Sequence, residues 1–235
     1  MPYITTYDDV VTAQKKQGDV IRKTSLTFSD TFTQLTGSTV YLKNEFEQKT
    51  GSFKLRGAHY KISILSEDET KNGIVAASAG NHGQGVAYAS ALEKIKCTIV
   101  MPKNASPAKV AAIRGYGATV VLEGKNYEES WAKAQEIAKT TGAEIIHAFD
   151  DPYVIAAQGV IGLEIIEQIP DVDEIYVPIG GGGLAAGVLT AVKAKNPNVK
   201  IIGVQSKSFP SMKKSLDSGK VETIEGGFTV ADGIS

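Results

Sequence analysis

Cysteine is nearly absent from this 235-residue chain: Cys97 stands alone, so no internal disulfide can form and a reducing compartment is the natural setting. Blocks of like charge are absent too. Twenty-five Lys and Arg face twenty-six Asp and Glu, a net charge of -1, which argues against nucleic-acid and membrane-surface partners. The opening MPYITTYDDVV lacks the basic start and apolar stretch of a secretory signal, so the expected location is the cytoplasm. The nearest thing to a membrane span, YVPIGGGGLAAGVLTAV, is interrupted by Pro178 and four glycines where a spanning helix must keep its hydrogen bonds. His59 and His147 are isolated, and no His, Cys or carboxylate cluster has metal-ligand spacing, so no catalytic metal is expected. Without repeats or a flexible linker, any second domain has to be an insertion.

What is present is an alternation. The β-branched runs VYLKNEF, GIVAAS, CTIVMP, ATVVLEG, EIIHAF, EIYVPI and VKIIGVQ read as strands, and longer helical patterns lie between most of them. In NYEESWAKAQEIAKTTG, Asn126 and Glu129 fit a capping box, acids fill the first turn and Gly142 follows as a stop. SPAKVAAIRGYG and DDPYVIAAQGVIGLEIIEQIP each set proline at the first helical position, after Ser106 and Asp151, and the latter stops before Pro170. The pattern predicts an α/β protein with mostly parallel sheets covered by helices on both faces. Cys97, inside CTIVM, is expected to be a buried strand residue.

Two loops have the character of anion sites. EIYVPI runs into Gly180, Gly181, Gly182 and Gly183, and a helix follows from Leu184; glycines let backbone approach a ligand, and free N–H groups at a helix start favour phosphate. A tight strand-to-helix turn is the plainer explanation, though it rarely needs four glycines. No P-loop lysine follows. Gly180, Gly182 and Ala185 fit a dinucleotide fingerprint, but the carboxylate that should hold a ribose after the next strand is replaced by Gln205 and Ser206. The second loop, Ser78, Ala79, Gly80, Asn81 and His82, follows GIVAAS and offers N–H groups, a hydroxyl and an amide to a carboxylate. Asn81 and His82 are equally explained as a turn residue and a local hydrogen-bonding partner. Lys54, in EQKTGSFKLRG, sits among small and aromatic neighbours; alone it would pass for a surface-helix lysine, but beside two anion loops it suggests an amine that reacts with a phosphorylated aldehyde.

TGSFKLRGA, SAGNHGQG and PIGGGGLAAG, in this order, resemble the fold type II pyridoxal-phosphate enzymes, most closely the threonine dehydratase and serine racemase branch. The resemblance implies a two-domain architecture with the cofactor in a cleft, a large domain from residues 1–48 and 154–235 and a small inserted domain from 49–153. It implies that Lys54 forms the Schiff base with pyridoxal 5'-phosphate and later takes the substrate Cα proton. Phe53 packs beside the pyridine ring and Asn81 bonds the ring oxygen. Gly180 to Gly183 and Leu184 cradle the phosphate, and Ser78 to His82 bind the substrate carboxylate. The implied activity is L-threonine dehydration to 2-oxobutyrate and ammonia, with L-serine giving pyruvate. The alternatives are a serine racemase, a sulfhydrylase-like β-replacement enzyme, a nicotinamide-dependent oxidoreductase and a noncatalytic amino-acid sensor. Serine racemases carry a serine acid before the Gly-Asn pair, where this chain has Ala79, and a metal-binding glutamate where it has Gln205; dehydration is therefore expected over racemisation. The family also implies a homodimer or homotetramer and sequence beyond VADGIS, so the chain is expected to be incomplete at its C-terminus.

Overall fold

In the computed structural model, residues 4–224 and 226–234 are described. In chain order the elements are helix α1 (Tyr7–Gln17), strand β1 (Leu26–Phe28), α2 (Asp30–Thr36), β2 (Tyr41–Lys43), α3 (Lys54–Ser63) and α4 (Glu67–Thr70). β3 (Ile74–Ala77), α5 (Asn81–Leu92), β4 (Cys97–Met101), α6 (Pro107–Gly115), β5 (Thr119–Leu122), α7 (Tyr127–Thr141) and β6 (Glu144–Ile145) follow. The last stretch holds α8 (Pro152–Gln168), β7 (Glu174–Pro178), α9 (Gly183–Lys195), β8 (Lys200–Val204) and α10 (Ser211–Ser218). All seven predicted strands are found. β1 was not among them: it is three residues of mixed polarity, and its partner β2 across an antiparallel ladder is what makes it a strand.

The contacts divide the chain into two compact units, one of residues 13–148 and the other of the described residues up to 12 and from 149 onward. Residues 13–48, expected with the larger domain, group instead with residues 49–148. Apolar and polar contacts both tie them: Ile21 joins the core with Leu55 and Ile62, and buried Arg56 of α3 holds Glu45 through Nε and Nη2, both at 2.8 Å, while Nη2 also donates to the Arg22 carbonyl at 3.2 Å.

Unit 13–148 is built on a parallel sheet in the order β5-β4-β3-β6. Period-two alternation sends Ile74, Ala76, Ile99 and Met101 to one face, where Leu55, Ala58 and Ile62 of α3, Val86 of α5 and Ile113 of α6 complete a core. Val75, Ala77 and Val100 point to the other, against Ala134, Trp131 and Ile137 of α7. Cys97 is buried as expected, and burial pushes its thiol up to about 11, so it is a packing residue. The caps also follow the sequence with one change. Asn126 accepts from the Glu129 N–H at 3.0 Å, but Glu129 returns its carboxylate to the Lys125 N–H at 2.9 Å, so the box closes one residue early.

The second unit pairs β7 with β8 in parallel and sets α8 against α9. Asp151 caps α8 through the Tyr153 and Val154 N–H groups at 2.8 and 3.0 Å. The two helices meet at glycine: a Cβ on Gly187 would strike the Ile155 carbonyl and lie 2.6 Å from the Gly159 nitrogen. Among the described residues no helix is long and apolar enough to cross a membrane.

Candidate active site

The strand order reverses between β3 and β6, since the chain steps from β3 outward to β4 and β5 and then returns to the far side of β3. In open α/β sheets ligands bind at the carboxyl ends of strands at such a switch point. Here those ends carry the Ser78 loop after β3 and residues 146–148 after β6.

Lys54 opens α3. Its ammonium donates to the Ala148 carbonyl at 2.8 Å and stands 5.3 Å from the Phe53 ring centroid. The side chain is only partly exposed and has no carboxylate partner to offset its desolvation, so burial lowers the amine to about 8. Roughly a tenth of the amine is then free at pH 7, far more than a surface lysine offers. Gly85 of α5 packs closely on this segment: a Cβ there would lie 3.2 Å from the Lys54 carbonyl and the Leu55 nitrogen, so a larger residue would push α5 slightly away from the start of α3. The preceding turn depends on Gly51, at φ +73°, and beside it Thr50 and Ser52 hold buried hydroxyl oxygens without hydrogen-bond partners.

The loop after β3 is shorter than the sequence suggests, because Asn81, His82 and Gly83 already form the first turn of α5. Asn81 is exposed and His82 is buried. His82 Nε2 bonds the Ile146 carbonyl at 2.9 Å; a carbonyl only accepts, so Nε2 carries the proton. Burial, reinforced by the Lys54 charge, lowers its pKa to about 3, and the ring stays neutral at physiological pH. Ser78 Oγ accepts from the Gly80 N–H at 3.0 Å, which leaves its own proton to donate. Ala79 is exposed and ends in a methyl group. These contacts explain why β6 ends after two residues although EIIHAF reads as a longer strand: the carbonyls of Ile146 and Ala148 serve His82 and Lys54.

In the other unit, β7 leads into Gly180 to Gly183 and α9 begins at Gly183. The run answers to two demands. Gly182 takes φ +90°, a left-handed conformation that a side chain strains, and Gly181 and Gly183 face Phe149, whose ring or carbonyl a Cβ would hit. Gly180 is under no such pressure, its nearest neighbour standing 3.4 Å from a Cβ. The first-turn N–H groups of α9, including that of Leu184, have no intrahelical acceptor and present a positive end. Phosphate chemistry therefore suits the loop, but packing against Phe149 accounts for part of its glycine content.

Residues 18–235 match the family described as pyridoxal-phosphate dependent enzyme. The chain belongs to that family. It is 51% identical over 230 residues to an L-threonine ammonia-lyase of Thermotoga maritima, covering 98% of this chain and 57% of that protein. It is 46% identical over 226 residues to the catabolic L-threonine dehydratase of Escherichia coli K12, covering 96% and 69%. Among solved structures, maize serine racemase superposes with a TM-score of 0.95 at 34% identity, over 99% of this chain and 70% of that one. The chain thus spans little more than half the length of the Thermotoga relative.

Each unit fits the family's cofactor on its own observations. Unit 13–148 supplies a buried, partly deprotonated amine, an aromatic ring beside it and orphaned hydroxyls within four residues. The other supplies a glycine-lined helix start. Sequence reasoning did not reach the carbonyls of Ile146 and Ala148, because a backbone acceptor leaves no mark on residue type. It also missed Lys109 of α6, whose Nζ would stand 3.3 Å from a Cβ on Gly80 and brings a cation to the Ser78 loop. Gln205, read as a poor metal ligand, instead accepts from the Lys213 N–H at 3.0 Å in the first turn of α10. Among the described residues no group of His, Cys, Asp or Glu could hold a metal ion.

Proposed function

We propose that the protein is a pyridoxal-phosphate-dependent L-threonine ammonia-lyase that forms 2-oxobutyrate and ammonia, and pyruvate from L-serine. The observation that carries this reading is Lys54, an amine brought to about 8 and held at the Ala148 carbonyl beside the Ser78 loop. Pyridoxal phosphate, when bound, supplies an electron sink for the negative charge that develops at the substrate Cα. Lys54 would be its attachment point, and its Nζ would serve as the base that receives the substrate Cα proton. Phe53 would pack beside the ring and Asn81 would bond the ring oxygen. Gly180 to Gly183 and Leu184 would hold the phosphate through backbone N–H groups. The Ser78 hydroxyl and the backbone of Ala79 to His82 receive the substrate carboxylate, with Lys109 adding a positive charge.

Loss of the β-hydroxyl as water leaves an enamine that hydrolyses to the 2-oxo acid and ammonia. His82, held neutral, adds no charge that would compete for the carboxylate. Ala79 has no proton to return to Cα from the opposite face, so racemisation is disfavoured. A cytoplasmic homodimer or homotetramer completes the reading.

Borohydride reduction of the cofactor-loaded protein followed by peptide mapping places the cofactor on Lys54, and Lys54→Ala abolishes both that adduct and 2-oxo acid release from threonine and serine. Amine labelling of Lys54 in the cofactor-free protein reaches half its maximum near pH 8, where ordinary lysines titrate near about 10.4. An adduct that survives Lys54→Ala, or labelling with an ordinary lysine profile, overturns the assignment.

A further inference from the structure

α3 carries a second polar feature. His59 lies five residues past Lys54, about 7.5 Å along the helix axis, and is 5% exposed, with its Nδ1 lacking any hydrogen-bond partner. The imidazole lines a cavity of about 390 Å³, within the size range of small-molecule sites, that includes none of the residues assigned above to cofactor or substrate.

Three charged side chains from three segments share the cavity and act on the imidazole: Lys16 at the end of α1, Lys49 in the loop before α3 and Glu93 at the end of α5. Asp19 adds a second carboxylate and Ser63 a hydroxyl already donated to the Tyr60 carbonyl. Among the described residues Lys16, Lys49 and Glu93 form no ion pair, although opposite charges line one cavity. Burial and the two lysines hold the imidazole neutral against the opposing pull of Glu93.

A cavity with unpaired charge of both signs around a neutral imidazole selects its occupant by charge. A simple anion meets the exposed lysines but is opposed by Glu93 and Asp19, a simple cation meets the reverse, and an apolar molecule offers nothing to the buried His59 Nδ1. A small zwitterion satisfies both signs. We infer that the cavity around His59 binds a free α-amino acid, its carboxylate toward Lys16 and Lys49 and its ammonium toward Glu93. The site does not rest on the reading of Lys54, and its occupant would contact the helix that Lys54 begins.

The test is NMR of the His59 ring, assigned with a His59→Gln variant or from through-space contacts to the cavity residues, in protein saturated with pyridoxal phosphate. L-Alanine, which has no β-leaving group, shifts the His59 signal saturably, and acetate or methylammonium at the same concentration shifts it less. Lys49→Gln and Glu93→Gln, both at exposed positions, each weaken alanine binding at His59 about threefold to fivefold. An unmoved His59 signal overturns the inference. So does an equal response to acetate or methylammonium alone, or an alanine affinity that neither charge substitution changes.

Discussion

The two units reach stability by different means. In unit 13–148 the central strand β3 is buried along its whole length, with helices on both faces, and Arg56 is fully buried against Glu45. In the other unit β7 alternates buried and exposed residues, Tyr176 and Val204 are 64% and 45% exposed, and the close contact is a helix crossing at Gly159 and Gly187. The difference bears on the proposed chemistry because the candidate lysine, Lys54, belongs to the unit with the deeper core. A base shifted by burial needs surroundings that stay dry and rigid, whereas a phosphate loop needs only backbone N–H groups at a helix start.

The largest expected effect removes the polar tie of the first unit. Glu45→Ala leaves the Arg56 guanidinium buried without its carboxylate and costs about 3–5 kcal/mol, read by urea unfolding and by faster amide exchange in β3 and β4. If exchange accelerates equally in β7 and β8, the two units do not differ as described. Gly187→Val attacks the helix crossing of the second unit and costs about 1–3 kcal/mol, with exchange rising first in α8, α9 and β7. An unchanged exchange pattern there removes the crossing as the source of that unit's stability. The smallest effect is at the rim of the first unit, where Asn126→Ala costs about 1 kcal/mol, seen as fraying of the first turn of α7 while β3 keeps its protection.

Much of this was legible in residue order. Pro107 and Pro152 opened their helices, Asn126 and Gly142 bounded α7, and the β-branched runs became strands because those signals are local. The candidate site was less legible. Asn81 and His82 read as a turn but belong to the first turn of α5, since small and polar residues suit a turn and a helix start alike. The glycine run suggested one cause and has two, because Phe149, more than thirty residues earlier, lies against Gly181 and Gly183.

By itself the sequence determined most element types, the mainly parallel α/β plan and the choice of Lys54 as the candidate amine, because periodicity, caps and side-chain chemistry are properties of neighbouring residues. Only the tertiary structure decided the state of that amine. Its free fraction near neutral pH follows from burial, which outweighs the charge-favouring bond to a carbonyl 94 residues away in the chain, and desolvation exists only once the chain has closed around the charged group.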